Sequence, residues 1–358
     1  MTAASGSNSG FDSARPTINV DGQDYPALAS GLLALTIEEN VSGLYRCEAQ
    51  FGNWGTIRNT VDFLYFDRKT IDFGKRLKIT IGSSVLFDGR ISGLEANFPD
   101  GGAPQLNVLA EDRLQDLRMT RRTRTFADMS DSDVLNRIAS DHGLSAQINV
   151  NGPSYKVLAQ ANQSDLAFLR ERARSIDAEL WVGDSKLIAE SRSSRNSGTL
   201  QMTYGNTLRE FSVLADLAQQ RTAMHVCGWD VAGKSALKHE ATDSVISGEL
   251  NGDLSGASIL SSAFGERKEA IVHTVPHNSQ EAQAQAEAFF GMAARRFLVG
   301  RGTAQTDGRI RVGGYVDLQG LGPLFTGKYY LAEVRHIFDG ARGIRTEFTA
   351  ERPGLGRV

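Results

Sequence analysis

The sequence contains an internal repeat, and this feature constrains the fold more than any other. Residues 73–111 match residues 312–351, and the spacing between equivalent residues drifts only from 238 to 240. The equivalent pairs include Gly74 and Gly313, Phe87 and Phe325, Gly89 and Gly327, and Glu111 and Glu351. Each copy has the order strand, glycine turn, long strand, Asp-Gly turn and final strand. Hairpins share turn chemistry, but chance composition rarely produces such an order. We therefore predict a duplicated β-barrel.

The composition agrees with a β-rich globular protein of two or three domains. The chain has 358 residues, of which 41% are hydrophobic and 23% charged, so it is long enough for a sizeable core. Its 37 glycines and 8 prolines indicate many tight turns. Short β-favouring runs such as 62–66 and 77–81 are separated by glycine-containing turns.

Helical periodicity replaces strand alternation from Ser130 onward. Ser130 begins a predicted helix, and a second helix is predicted to begin near Ser164. A hairpin is predicted at 180–189. A third helix is expected near 279–299, with Asn278 as its cap and Gly300 as its end. Its predicted buried stripe consists of Ala282, Ala286, Phe289, Ala293 and Phe297.

The predicted fold class is mainly β with an α/β insert: two similar tube-type β-barrels per chain plus a small α/β domain. Residues 1–15 are a predicted flexible tail rich in Ser and Gly. The first tube-type barrel is assigned to 16–120, the α/β insert to 121–200, and the second barrel, with its helix, to 201–358. Three copies of such a chain can close a ring of six pseudo-equivalent units.

Four passages of the chain carry a resemblance to a known family. They are 163–170, 226–230, 281–297 and 312–351. In their order and spacing the chain resembles the phage late control D proteins, which are baseplate hubs of contractile tails. It is also similar to the hub region of VgrG spike proteins from type VI secretion and to hubs of extracellular contractile injection systems. The likeness spans most of 16–353.

The resemblance implies a structural hub protein, a homotrimer that forms a pseudo-six-fold ring. One face of the ring would stack on the hexameric inner tube, and the other would receive a trimeric spike. A VgrG chain continues into a needle, whereas this sequence stops at Val358. We therefore expect the spike to be a separate chain, in a phage virion or an extracellular injection particle. Other baseplate proteins are further expected partners.

Candidate chemistry is sparse, and the chain is predicted not to be an enzyme. His225 and Cys227 share a strand face, and His273 and His277 are four residues apart with Pro276 between them, so no metal site is expected. No cofactor motif is present, since residues 320–322 precede a strand rather than a helix. A cell-wall-degrading enzyme and a glycan-binding tail component remain as alternatives. However, nothing in the sequence indicates a buried acidic residue, which general-acid catalysis would need.

Five residues are candidates for interaction or structural roles. Arg121, Arg122 and Arg124 belong to a basic cluster, which either contacts an acidic partner or is balanced by upstream acids. Trp229 and Asp230 end a predicted strand, where the Trp either contacts the tube, the spike or a neighbouring chain, or covers a barrel mouth.

Charge and targeting signals agree with assembly in the cytoplasm. The net charge of -3 gives no overall basic excess for nucleic acid, so no specific nucleic-acid binding is predicted. No apolar run is long enough for a membrane span, and the first residues lack a signal-peptide pattern. Cys47 and Cys227 are expected to be buried, reduced thiols.

Overall fold

β-Strands are the main secondary structure of the protein, in a computed structural model that describes residues 15–57, 59–231, 233–272 and 274–357. The predicted tail, apart from Arg15, therefore lies outside the described residues. Up to residue 111 the strands are β1 (Thr17–Val20), β2 (Gln23–Asp24), β3 (Leu32–Asn40), β4 (Arg46–Gly52), β5 (Gly55–Ile57), β6 (Thr60–Asp62), β7 (Arg76–Ile81), β8 (Ser84–Asn97) and β9 (Gln105–Glu111). Between residues 121 and 191 they are β10 (Arg121–Ser130), β11 (Ser145–Asn149), β12 (Ser154–Ser164), β13 (Ala178–Gly183) and β14 (Lys186–Ser191).

The last part of the chain contains further strands and the longest helix. The strands are β15 (Thr199–Thr203), β16 (Leu208–Ala215), β17 (Ala223–Asp230), β18 (Ser235–Ala241), β19 (Leu254–Ser255), β20 (Lys268–Ile271), β21 (Leu298–Gln305), β22 (Tyr315–Gln319), β23 (Gly327–Asp339), β24 (Gly343–Arg352) and β25 (Gly354–Leu355). The helices of the described residues are α1 (Pro26–Gly31), α2 (Leu114–Arg118), α3 (Asp131–Asp141), α4 (Asp165–Ser175), α5 (Gly256–Phe264), α6 (Ser279–Arg295) and α7 (Gly322–Phe325), with a 3-10 helix at Asp243–Glu249. No helix in the described ranges combines the length and apolar character needed to cross a membrane.

A single 13-stranded sheet runs through both copies of the repeat. Its main path is β16-β21-β24-β23-β3-β4-β9-β8-β7-β1-β2, and β22 and β15 continue from β23 beside that path. We call β3, β4, β7, β8 and β9 the first half, and β16 with β21 to β24 the second half. The order β3-β4-β9-β8-β7 in the first half recurs as β16-β21-β24-β23-β22 in the second.

The two halves also share their irregularities. Pairing registers shift between Ile91 and Gly93 in β8, Leu331 and Glu333 in β23, Leu32 and Ala34 in β3, and Leu208 and Glu210 in β16. The shifts in β8 and β23 lie 240 residues apart, and those in β3 and β16 lie 176 apart. Because a β-bulge is a specific local feature, two bulges at equivalent positions support duplication of the whole five-strand unit.

The glycine turns of the repeat are equivalent in detail. Gly74 and Gly313 have φ values of 78° and 84°, a region that favours glycine. The Gly74 amide donates to the Ile91 carbonyl at 2.8 Å, and the Gly313 amide donates to the Leu331 carbonyl at 3.1 Å. These hydrogen bonds explain why glycine recurs at this position of the repeat.

The prediction of a mainly β chain with an α/β insert is confirmed, but neither half forms a closed barrel. Closure requires the first and last strands of a half to pair. Instead, β3 pairs with β23 of the other half, and the described residues contain no ladder from β3 to β7 or from β16 to β22. The two predicted barrels are therefore open parts of one sheet, because β23 occupies the outer edge of β3 and β15 occupies the outer edge of β22.

The α/β insert has the predicted local elements. Ser130 and Asp133 form a capping box at the start of α3, and the Ser164 side chain accepts a hydrogen bond at the start of α4. The predicted hairpin is β13 and β14, which form a three-stranded sheet with β11. The insert has its own apolar core, in which the inner faces of α3 and α4 are buried.

Helix α6 packs against a separate three-stranded sheet, β18-β17-β20. Sequence analysis did not predict this sheet. Asn278 caps it as predicted, but the helix ends at Arg295 and Gly300 lies within β21. The helix cannot continue to Gly300, because residues 298–305 form β21 and pair with both β16 and β24. The buried stripe contains Ala282, Ala286, Phe290 and Ala294, so the predicted Phe289 and Ala293 are only partly buried.

Arg295 joins α6 to the insert through a buried ion-pair network. Its guanidinium donates to both Asp177 oxygens, at 2.5 and 2.7 Å, and to Glu249 at 2.7 to 3.1 Å. Arg295 is 2% exposed. Burial raises the pKa of Asp177 despite the neighbouring guanidinium. This arginine therefore neutralises two carboxylates that come from different parts of the chain.

We expect Arg295→Met to lower the free energy of unfolding by about 3 kcal/mol, since it leaves two partly buried carboxylates, each 20% exposed, without their cation. Urea unfolding of the variant and the wild type measures the difference. The matched control is Arg296→Met, because the Arg296 side chain is 69% exposed and its loss is expected to cost less than about 0.5 kcal/mol. Equal effects of the two substitutions would contradict the assignment.

Candidate assembly interface

The pairing of β23 with β3 is the place where the two halves meet, and we call it the internal seam. The strands pair antiparallel from Glu333 opposite Asn40 to Asp339 opposite Ala34. The side chains on one face of the seam are almost completely buried, with exposed fractions of 4% or less. They are Val334, His336 and Phe338 of β23, opposite Glu39, Ile37 and Leu35 of β3.

Glu39 is a buried carboxylate that sequence analysis did not single out. It forms an ion pair with Arg311 and accepts a hydrogen bond from the Val312 amide at 3.1 Å. Burial raises the pKa of Glu39, and the charge of Arg311 opposes that effect. Arg311 also donates to the Val85 carbonyl at 2.7 Å. Residues 311–312 of the second half thus bind the first half by charge and by hydrogen bonds.

His336 is fully buried in the internal seam. Its Nδ1 lies 2.9 Å from the Thr346 hydroxyl, and its Nε2 has no hydrogen-bond partner among the described residues. Burial, followed by the positive charge of Arg311, lowers the pKa of His336 to about 3. The imidazole is therefore neutral near neutral pH and packs as an uncharged group.

The equivalent positions in β8 and β16 are more exposed, because no described strand pairs with these two edges. Phe98, which is equivalent to Phe338, is 61% exposed, whereas Phe338 is 4% exposed. In β8, Leu94 is partly buried and Ala96 is exposed, although their equivalents in β23 are fully buried. In β16 the residues equivalent to Leu35, Ile37 and Glu39 are only partly buried. They are Phe211, Val213 and Ala215.

Two sheet edges are therefore unpaired in the part of the chain that the structure describes. Residues 93–97 of β8 pair with β9 on one side only, and β16 pairs in ladder with β21 on one side only. An unpaired edge presents backbone N–H and C=O groups that can pair with another strand. The β8 edge is equivalent to the β23 side of the internal seam, and the β16 edge to the β3 side.

The predicted arginine cluster lies inside the insert and makes contacts there. Arg122 and Arg124 form ion pairs with Asp165 at 3.2 and 2.9 Å, and Arg124 also pairs with Asp141 at 2.7 Å. Arg121 donates to the Asn162 carbonyl at 2.9 Å. Their partners are thus not the acids just upstream in sequence, although Arg118 does pair with one of these, Glu111.

Asp165 is the buried acid on which two of these arginines converge. Burial alone raises its pKa, but hydrogen bonds from His142 and Gln160 and the charges of Arg124 and Arg122 outweigh burial and lower it. Asp165 is also the first residue of α4, where the helix dipole favours a negative charge.

Trp229 and Asp230 lie at the end of β17, in the small three-stranded sheet rather than at a barrel mouth. Trp229 is 53% exposed. Asp230 accepts a hydrogen bond from the Gly233 amide at 3.0 Å within the following turn. Gly228 is required by close packing, since an added Cβ would lie 2.5 Å from the Pro276 carbonyl oxygen.

The described residues contain no group of three or more His, Cys, Asp or Glu side chains able to hold a metal ion. His273 lies outside the described residues. Both cysteines are free, but Cys227 is exposed, in contrast to its predicted burial, because it lies on the outer face of β17. Burial raises the pKa of Cys47.

Asp112 is a second buried acid that sequence analysis missed. Burial raises its pKa to about 6, although the carboxylate accepts hydrogen bonds from the Tyr45 and Leu114 amides, each at 2.8 Å. It borders a cleft of about 730 Å³ that Glu39 also lines. Asp112 fixes two backbone turns and Glu39 is paired with Arg311, so the two carboxylates already have structural partners.

The sequence of residues 12–339 matches a family model described as the Alg8 N-terminal domain. The chain belongs to this family. No curated protein matches the sequence.

Solved structures share the fold at low sequence identity. The 43 kDa tail protein of prophage MuSo2 from Shewanella oneidensis and a tail protein from Neisseria meningitidis each have a TM-score of 0.69 and 13% identity, covering 95% of this chain and 98% of theirs. A type VI secretion component of E. coli has a TM-score of 0.55 and 12% identity, covering 91% of this chain and 76% of its own. The predicted resemblance to baseplate hub proteins is thereby confirmed at the level of the fold.

The buried His336 predicts a specific pH dependence of stability. Above pH 6.5 the imidazole is neutral in both the folded and the unfolded chain. Below that pH the unfolded chain binds a proton that the native seam excludes until about pH 3. As the pH is lowered from 6.5 to 3, the free energy of unfolding of the wild type is therefore expected to decrease by about 1.4 kcal/mol per pH unit more than that of His336→Gln. Urea unfolding at several pH values measures both slopes, and parallel slopes would contradict the prediction.

Proposed function

We propose that the chain is a non-enzymatic structural subunit of the baseplate hub in a phage tail or contractile injection particle. Its fold is that of proteins named as phage tail and type VI secretion components. The buried carboxylates Glu39 and Asp112 already bind an arginine and backbone amides, which leaves neither free as a proton donor to a substrate. These contacts favour a structural role over the alternative of a cell-wall-degrading enzyme.

The two unpaired edges carry the proposal that copies of the chain form a ring. The internal seam joins an edge of one kind to an edge of the other kind, and one edge of each kind is left over. The β8 edge of one copy can therefore pair with the β16 edge of the next copy as β23 pairs with β3. Such a head-to-tail contact produces a closed ring when the rotation between copies is a fraction of a full turn.

The internal seam supplies the register of this contact. Subtraction of 240 from residues of β23 gives their equivalents in β8, and addition of 176 to residues of β3 gives their equivalents in β16. The pairs between copies are then Leu94 with Ala215, Ala96 with Val213, and Phe98 with Phe211. Each of these six residues is more exposed than its fully or nearly fully buried equivalent in the internal seam.

We propose a homotrimer, in which three internal seams alternate with three seams between copies. This arrangement has six similar half-units, as the resemblance to late control D and VgrG hubs implies. One face would stack on a hexameric inner tube, and the other would hold a separate trimeric spike. The particle would be assembled in the cytoplasm together with other baseplate proteins.

The candidate interaction residues fit this proposal to different degrees. Trp229 is half-exposed at the end of a strand and suits a contact with the tube or spike. Asp230 closes the adjacent turn and holds the strand end in place. Arg121, Arg122 and Arg124 contact groups within the insert, which favours a structural role for the cluster.

We expect the purified wild type alone to have a mass of about 116 kDa, three times 38.8 kDa, by native mass spectrometry, and a larger mass once its spike is added. Ala96→Lys is expected to yield a folded monomer, because Ala96 is exposed in one copy but its charged replacement would be buried in the seam between copies. The matched control is Asn97→Lys, whose side chain lies on the opposite face of β8. A wild type that stays monomeric and binds neither spike nor tube protein would refute the proposal.

A further inference from the structure

Four aromatic side chains form an exposed group that we call the aromatic cluster: Trp54, Phe63, Phe66 and Phe98. Phe63 contacts the other three, with ring centroids 5.0 to 6.2 Å apart. The four side chains are nevertheless 36% to 61% exposed, and Val61 and Phe73 in the same segment are 58% and 55% exposed. A contiguous apolar group of this kind on a protein surface marks a contact site.

The cluster occurs in only one of the two halves. Three of its members lie in the segment between β4 and β7, residues 53–75, which has 23 residues. The equivalent segment between β21 and β22, residues 306–314, has nine residues and contains no aromatic side chain. The cluster is therefore an addition to the first half. The position of residues 306–314 at the internal seam indicates where residues 53–75 would lie at a seam between copies.

Phe98 places the cluster beside the seam between copies. Its equivalent, Phe338, is buried in the core of the first half, opposite Leu35. The equivalent of Leu35 is Phe211, whose ring is only partly buried against Tyr329 and Phe348. Because the cluster is continuous with the unpaired β8 edge, we infer that a second copy of this chain covers it.

The packing of the segment 306–314 within the chain indicates which part of the second copy the aromatic cluster would contact. Arg311 donates to the Val85 carbonyl, and a Cβ added at Gly308 would lie 2.2 Å from the Ser84 Cβ. The segment therefore packs against the start of β8, where β7 turns into β8. In the second half the equivalent connection, from β22 to β23, is α7. Within α7, Pro323 is exposed, and Leu324 and Phe325 are partly buried.

We propose that the aromatic cluster of one copy packs against α7 and Phe211 of the next copy. This inference rests on the ring proposed above and names the contact that adds apolar area to the strand pairing. Each ring would contain the contact once per copy, only at the seams between copies. The internal seams contain Arg311 and Glu39 in the corresponding place.

The first test compares Phe66→Ala with Phe264→Ala, since Phe264, at the end of α5, is also an exposed phenylalanine, with an exposed fraction of 61% against 37% for Phe66. Phe66→Ala is expected to raise the dissociation constant of the ring by roughly 30-fold or more, as for a central interface aromatic. Phe264→Ala is expected to leave it unchanged. Sedimentation over a dilution series measures the constants, and circular dichroism checks that both variants are folded.

The second test locates the contact directly. In a Cys227→Ser background, Phe66→Cys combined with Pro323→Cys is expected to give a covalent trimer with a short bismaleimide, whereas Phe66→Cys with Phe264→Cys is not. A ring that forms normally, is unaffected by Phe66→Ala and gives no cross-link between positions 66 and 323 would overturn this inference and leave the ring proposal intact. The same holds if Phe66→Ala weakens only spike binding. A strictly monomeric wild type would instead refute the ring proposal.

Discussion

The pairing of β23 with β3 determines how the rest of the molecule is arranged. It joins the two halves into one sheet, inserts Phe338 into the core of the first half, and buries His336 and Glu39. A buried carboxylate is tolerated there because Arg311 and the Val312 amide contact it. Since the halves are alike, a contact between unlike edges that is made once within the chain leaves one edge of each kind exposed. The proposed ring would thus be a geometric consequence of the duplication.

The repeat could be recognised from sequence only where both copies are continuous. Gly74 and Gly313 are readable because both have positive φ in a turn whose amide donates a hydrogen bond to the long strand, β8 or β23. The equivalence of β3 to β16 was not readable. Residues 41–45 separate β3 from β4, whereas residues 216–297 separate β16 from β21 and form a sheet and helices of their own. Barrel closure was also beyond the sequence, because strand alternation specifies which face is buried and not which edge finds a partner.

The partners of the charged residues were harder to predict than the fold. Glu39 follows Glu38 and precedes Asn40, a polar run that resembles an exposed strand end, and it is buried only because Arg311 arrives from a distant part of the chain. The arginines at 121–124 have acids just upstream in sequence, yet tertiary packing supplies Asp165 and Asp141 as partners. Local composition indicates that charges will be paired, but the fold decides the partners.

The differences between the halves complement their likeness. The sheet units repeat, but the α/β insert follows β9, the three-stranded sheet with α6 interrupts the second half, and the aromatic cluster belongs to the first half alone. In a ring of three copies, a contact made with the sheet units would therefore occur six times. A contact made with any of the inserted parts would occur three times. A duplicated chain with unequal insertions can thus join a six-fold structure to a three-fold one without any change in conformation.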